Sequence, residues 1–251
     1  MILKRIMTNL RKQRWSDLGL ELLVVVVGIF LALQADSWYQ ARSEQKQLSV
    51  YLQALTDELG TTAWITERYV DWHERVIDGL LKVLDGLDAK PLDTEELELA
   101  FFGLTHLSNP PTSPQRHAIL NTMQSEGMLR LVDPDLLQLL GELVMSRDNE
   151  YQRQVSSITA PPFSAAIVGY AFGPEGGVVI ASVDWEAARA DRPFRQRVFQ
   201  GINAYRNLSM SHKAVLLIHE QALHKLLQLG YQPSGNWLAE NQETINKRLS
   251  E

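Results

Sequence analysis

His219-Glu220 opens like the helix of a zinc protease, in which two histidines four residues apart hold a metal ion and the glutamate between them activates its water. Here the second histidine, His224, comes five residues on, which turns it about 140° away from His219 on a helix. His212 and His219 are seven apart and share a helix face, but the sequence offers no third ligand to complete a site. These histidines therefore read as packed or surface side chains of a helix. Glu95, Glu96 and Glu98 cluster where a helix starts, and read as solvated carboxylates that favour its N-terminal dipole. The glycine stretch Gly173-Pro174-Glu175-Gly176-Gly177 lacks the length and the lysine of a phosphate-binding loop, and no G-x-S-x-G nucleophile elbow occurs. The chain has no cysteine, so disulfides, thiolate metal sites and cysteine nucleophiles are excluded. Neither a cofactor nor a catalytic residue is expected, and a hydrolase assembled from distant residues is the weakest of three functional readings.

The elements that carry these residues are helical by period. Leu48, Tyr51, Leu52, Leu55 and Leu59 recur at spacings of three and four, and Ile65, Tyr69, Trp72, Val76 and Leu80 continue the stripe. Gly60-Thr61-Thr62 predicts a kink or break between them, and Trp64 and Trp72 are expected to pack this segment into a folded body. Residues 85–93 read as a loop, and Asp93 or Thr94 as the start of a helix ending near Leu107. Residues 108–114 form a loop whose Ser113-Pro114 predicts a helix running to about Glu126 and stopped by Gly127. Asp133-Pro134 repeats that start signal, for a helix reaching towards Ile158. Residues 159–183 read either as a hairpin around Gly173–Gly177 or as a short helix followed by an extended return. Asp184 and Asp191-Arg192-Pro193 each start a helix, Ser209 or Ser211 starts another that ends at Gly230, and 238–249 is expected to form a last short one.

What must position this body is the N-terminus. Leu22–Leu33 is a run of 12 apolar residues between Glu21 and Gln34. Trp15 and Trp38 bracket it, 23 residues apart, or about 35 Å as a helix, which suits two interfacial anchors on either side of a bilayer. Lys4, Arg5, Arg11, Lys12 and Arg14 precede it without an acid, and the rest of the chain holds the other 19 basic residues against 30 acidic ones. That charge step predicts a cytoplasmic N-terminus, and the acidic body argues against a nucleic-acid partner. Residues 1–14 are either an amphipathic segment on the membrane surface or a basic tail. A cleaved export signal is disfavoured because Leu33 stands where a small residue is wanted three positions before a cut after Ala35. On the wheel Asp17, Glu21, Gly28, Ala32 and Ala35 fall on one stripe, a small-residue face with an acid, which suggests contact with another transmembrane helix.

The chain resembles an uncharacterised family of bacterial single-pass inner-membrane proteins, known only as a domain of unknown function. The resemblance rests on Glu21, Gly28, Leu31-Ala32-Leu33-Gln34 and Trp38, and more loosely on Ser125-Glu126-Gly127 followed by Leu129-Arg130-Leu131-Val132. Asp36-Ser37 departs from the asparagines usual there. The resemblance implies an inner-membrane anchor with an exported helical domain, and carries no activity and no catalytic residues. The expected fold is thus mainly α: a basic segment 1–14, a transmembrane helix 15–38, and an extracytoplasmic, periplasmic helical bundle 39–251. The expected role is a non-catalytic accessory or scaffold subunit of a larger inner-membrane complex, held by lipid and by other transmembrane helices; a self-assembling anchor or sensor is the alternative.

Overall fold

The computed structural model describes residues 15–107, 117–157, 164, 166–173 and 177–234, with the backbone alone described for 15–21, 147–157 and 178. The chain is mainly helical and divides into two units, Met1–Val50 and Tyr51–Glu251. Helix α1 (Trp15–Leu87) contributes to both.

In the first unit, α1 is apolar on all sides over Leu22–Leu33. The large side chains of Leu22–Leu33 are each between 45% and 63% exposed, and the helix that carries them is long and apolar enough to cross a membrane. The basic flank Lys4, Arg5, Arg11, Lys12 and Arg14 lies outside the described residues.

The second unit is built from the rest of α1, α2 (Thr94–Leu107), α3 (Ala118–Ser125), a short 3-10 turn at Met128–Leu131, α4 (Pro134–Ser157), the strands β1 (Val168–Phe172) and β2 (Val178–Val183), α5 (Trp185–Ala190) and α6 (Arg192–Gln228). Side chains start most of these helices. Asp93 Oδ1 accepts the amide of Glu96 while Glu96 accepts the amide of Asp93, a reciprocal cap. Asp133, Asp184 and Asp191 accept the first free amides of α4, α5 and α6. Gly127 and Gly230 take φ of 70° and 92°, the left-handed backbone that stops a helix with least strain.

Two predicted breaks do not occur. α1 runs through Gly60-Thr61-Thr62 without interruption. The hydroxyls of Thr56, Thr61, Thr62 and Thr66 each donate to the carbonyl four residues back, so they do not compete with the helix for its amides. Leu59 and Ala63 on either side are fully buried, and packing outweighs the cost of one glycine. Likewise Ser209 lies buried inside α6 rather than at a helix start, because the apolar stripe Ile202, Tyr205, Leu208, Val215 continues across it.

Of the two readings for 159–183, the hairpin is the one observed. β1 and β2 pair antiparallel, with Val168 opposite Val183, Phe172 opposite Val178 and a bulge at Gly169/Tyr170. Thr105 Oγ1 accepts the amide of Ile180 at 2.9 Å, which ties the hairpin to α2. Ile167, Val168 and Ile180 thereby join a core made by Val76, Leu80 and Val83 of α1, Ala100, Leu104 and Leu107 of α2, and Phe194, Val198 and Ile202 of α6. At its heart α1 and α2 touch backbone to backbone: a Cβ on Gly103 would lie 2.7 Å from the carbonyl carbon of Gly79 and the nitrogen of Leu80.

α1 and α6 run antiparallel along their length in this unit. Arg195 pairs with Asp88 near the start of α6, Lys213 with Glu74 midway, and past its end Ser234 donates to Asp57. α4 packs on the later part of α6, where Lys225 bridges Asp133 and Asp135 at 3.1 and 2.8 Å.

The helix predicted from Ser113-Pro114 has a different origin. Both residues lie outside the described part, and α3 starts only at Ala118, after His117, which makes no side-chain cap. Glu58 of α1 caps it instead, its Oε1 accepting the amide of Ala118 at 2.6 Å and its Oε2 that of Ile119 at 3.2 Å. Burial pushes the Glu58 carboxyl up, against the downward pull of the amides of Ile119, Ala118 and Leu120. Replacing Glu58 by alanine is expected to lower stability by about 1–2 kcal/mol, and glutamine, which can still accept, by less. Urea unfolding of the two variants checks this; equal losses would show that the acceptor is not what matters.

Candidate functional site

Two places collect the residues that the sequence marks for function. The first is the stripe on the first unit. Nothing else in the described chain comes within 4 Å of a Cβ built on Gly28, and Ala32 and Ala35 are exposed. The chain's own described residues therefore leave this small-residue face uncovered. Trp15, Asp17 and Glu21 lie in α1, with their side chains outside the described part. Trp38 is 57% exposed, stands edge-on to Tyr39 at 5.3 Å, and has the Arg42 guanidinium 5.5 Å from its ring. An aromatic pair with a cation beside it, just past an apolar run, is the composition of a membrane–water boundary.

The second is the seam between α1 and α6, where four of the six histidines lie buried. His212 and His219 do share a face, as their spacing requires, and both point into the body with 1% and 0% exposure. Each meets a histidine from another element. His212 lies 4.9 Å from His73 of α1, ring centre to ring centre, and His219 stacks on His117, ahead of α3, at 5.6 Å. His224, by contrast, is exposed and bonds to Gln228, as its turn away from His219 predicts.

Around His73 the rings are dense. Tyr69 stacks on His212 at 5.8 Å, Tyr205 lies 5.4 Å from His73, and Trp72 is 4.7 Å from His106 of α2. The Tyr205 hydroxyl donates to the His106 carbonyl at 2.6 Å. Trp72 thus packs into the body as expected. Trp64 does not: it is 43% exposed, with the Arg68 guanidinium 5.0 Å over its ring, because its position falls off the buried stripe.

The proton positions follow from the partners. Nδ1 of His212 and Nδ1 of His219 each lie within 3.0 Å of a backbone carbonyl, Leu208 and Val215. A carbonyl only accepts, so each Nδ1 carries the proton. The outward nitrogen of His219, Nε2, is buried without a hydrogen-bond partner, as are both ring nitrogens of His73. Burial, reinforced by the neighbouring His212, holds His73 down to about 3. Burial holds His219 down to about 4, the Val215 carbonyl opposing and His117 adding. Burial lowers His106 as well, with Arg75 adding to the effect. Tyr205 is pushed upward by burial alone.

The sign of the linkage is fixed by these directions. A histidine depressed on folding is protonated first in the unfolded chain, so the stability it holds above its ordinary value of 6.5 is lost as the pH falls from there towards 4 or 3. By pH 5, His73 and His219 each cost the fold about 2 kcal/mol.

Among the described residues no group of three or more histidines and carboxylates is placed to hold a metal ion. Sequence reasoning singled out His212 and His219 but not their partners. His73 had a signal available: it sits four residues after Tyr69 and three before Val76, on the core stripe itself. His117 and Glu58 had none, since the partner of His117 lies about a hundred residues away in the chain and that of Glu58 lies 60 away. No family model, no curated protein and no solved structure matches the chain.

Proposed function

We propose that the chain is a membrane-anchored interaction protein: α1 spans the inner membrane with the N-terminus inside, the helical body stands in the periplasm, and the whole serves as an accessory or scaffold subunit of a larger complex. The observation that carries this reading is the unbroken apolar surface of Leu22–Leu33, exposed on every side. Such a surface is stable only against lipid or other apolar helices. The open face at Gly28, Ala32 and Ala35 gives a neighbouring helix a place for close backbone approach, and Glu21 and Asp17 on the same stripe supply polar groups to bond across it. The five N-terminal cations set the orientation. The buried imidazoles of the seam, at most 2% exposed, fit a packing role in a non-catalytic body better than the hydrolase reading.

Extraction of the full-length protein from its native membrane in mild detergent, followed by mass determination of the intact particle, tests the proposal. A stoichiometric particle with foreign subunits is expected. A particle made of this chain alone would replace the accessory role by self-assembly through the Gly28 face, and a monomer would defeat both. In either assembly Glu21→Leu is expected to weaken association about tenfold, in line with the 1–2 kcal/mol of an interhelical hydrogen bond; an unchanged particle would remove Glu21 from the interface.

A further inference from the structure

The α1–α6 seam contains one layer whose chemistry differs from the apolar layers around it. His73 is 1% exposed and neither ring nitrogen has a hydrogen-bond partner. The groups that face it are Tyr69 and Trp72 of its own helix and Tyr205 and His212 of α6. Beyond Trp72 lies His106 of α2, with the Arg75 cation close enough to act on it. None of these is an acid. The carboxylate at this level, Glu74, points outward and is held by Lys213 of α6 at 2.6 Å. The second layer, His117 with His219, is held differently: Nδ1 of His219 donates to the Val215 carbonyl, and Glu58 accepts the amides next to His117.

We propose that the His73–His212 layer is an acid-operated latch between α1 and α6. A proton taken up by His73 has no carboxylate to meet it and sets an imidazolium against a second imidazole and against tyrosine and tryptophan rings that cannot hydrate it. The cost is relieved when the two helices part at this level and water enters. The apolar layer around Leu80 and Phe194 holds no such group and keeps the helices formed on that side; on the other side the next imidazole pair is His117 with His219, whose Nδ1 is tied to the Val215 carbonyl. The depressed protonation of His73 agrees with this direction. The latch is a property of the folded body and does not depend on which partner the span engages.

The test is an acid titration of the full-length protein in detergent micelles, read by near-ultraviolet circular dichroism for aromatic packing and by far-ultraviolet for helix. The wild type is expected to lose its near-ultraviolet signal reversibly, with a midpoint between about pH 4 and 5.5, while its helix content holds. In His73→Phe, which keeps a ring in the layer but cannot take a proton, the midpoint is expected about one pH unit lower. A wild-type signal unchanged at pH 4, helix lost at the same midpoint, or a His73→Phe midpoint equal to the wild type would each overturn the latch. Should His73→Phe fail to fold, carbon-13 resonances of the wild-type imidazoles decide: His73 is expected to take up its proton in step with the aromatic transition. Uptake near pH 6.5 ahead of it, or none through it, would overturn the proposal.

Discussion

Gly103→Val is expected to destabilise the body by about 3 kcal/mol or more and to lower its thermal midpoint by roughly 6–12 °C. The reason is geometric. A Cβ at Gly103 would meet Gly79 and Leu80 backbone atoms at 2.7 Å, and a Cβ at Gly79 would overlap the Leu99 carbonyl oxygen. Those are main-chain atoms of a facing helix and have no rotamer to escape into. The helices must separate, and with them the layer of Val76, Leu80, Ala100 and Leu104, all fully buried. Gly141→Ala is the matched control. That glycine is in α4, with nothing within 4 Å of its Cβ position, so alanine there is expected to raise stability by about 0.5–1 kcal/mol. Thermal unfolding of both variants checks the pair. If Gly103→Val melts with the wild type, the close approach of α1 and α2 is not how the body packs.

The second large effect concerns the apolar segment. Val26 sits midway between Trp15 and Trp38, and Phe30 lies one turn on along the same face; they are 56% and 59% exposed. Lysine at both positions is expected to cost about 5–7 kcal/mol of insertion, from about 2.5–3.5 for each charge at mid-bilayer. The protein should move from the carbonate-resistant membrane pellet to the soluble or aggregated fraction. The wild type should stay in the pellet at the full mass of the uncleaved chain. Retention of the double variant in the membrane would mean that Leu22–Leu33 is not what holds it there, and a shortened wild-type chain would restore the export-signal reading.

How much of this was legible in the sequence depends on the range of the interaction. Asp93, Asp133, Asp184 and Asp191 each cap a helix two or three residues away, and Gly127 and Gly230 stop one where they stand. These are local effects and the sequence states them. It misled at Gly60-Thr61-Thr62 and at Ser209, where local propensity favoured a break and tertiary burial overrode it. The start of α3 was misplaced because its cap, Glu58, comes from a helix sixty residues earlier. At the seam, His212 and His219 were visible as a face, but what a face meets is decided by the antiparallel register of α1 and α6, and no spacing within α6 encodes His73 or His117. The stripe of Gly28, Ala32 and Ala35 was fully legible as a pattern, since a helix wheel needs only the sequence.

The antiparallel pairing of α1 with α6 also sets a timetable. α1 ends at Leu87 and α6 starts at Arg192, so the first core helix is synthesised about a hundred residues before the helix that covers it. At 5–20 residues per second that is an interval on the order of ten seconds. Throughout it Val76, Leu80 and Val83 have no α6 against them, and the His73 ring is still in water at its ordinary proton affinity. The nascent body is therefore both stickier and more basic than the finished one, and its last-made long helix is what renders it dry.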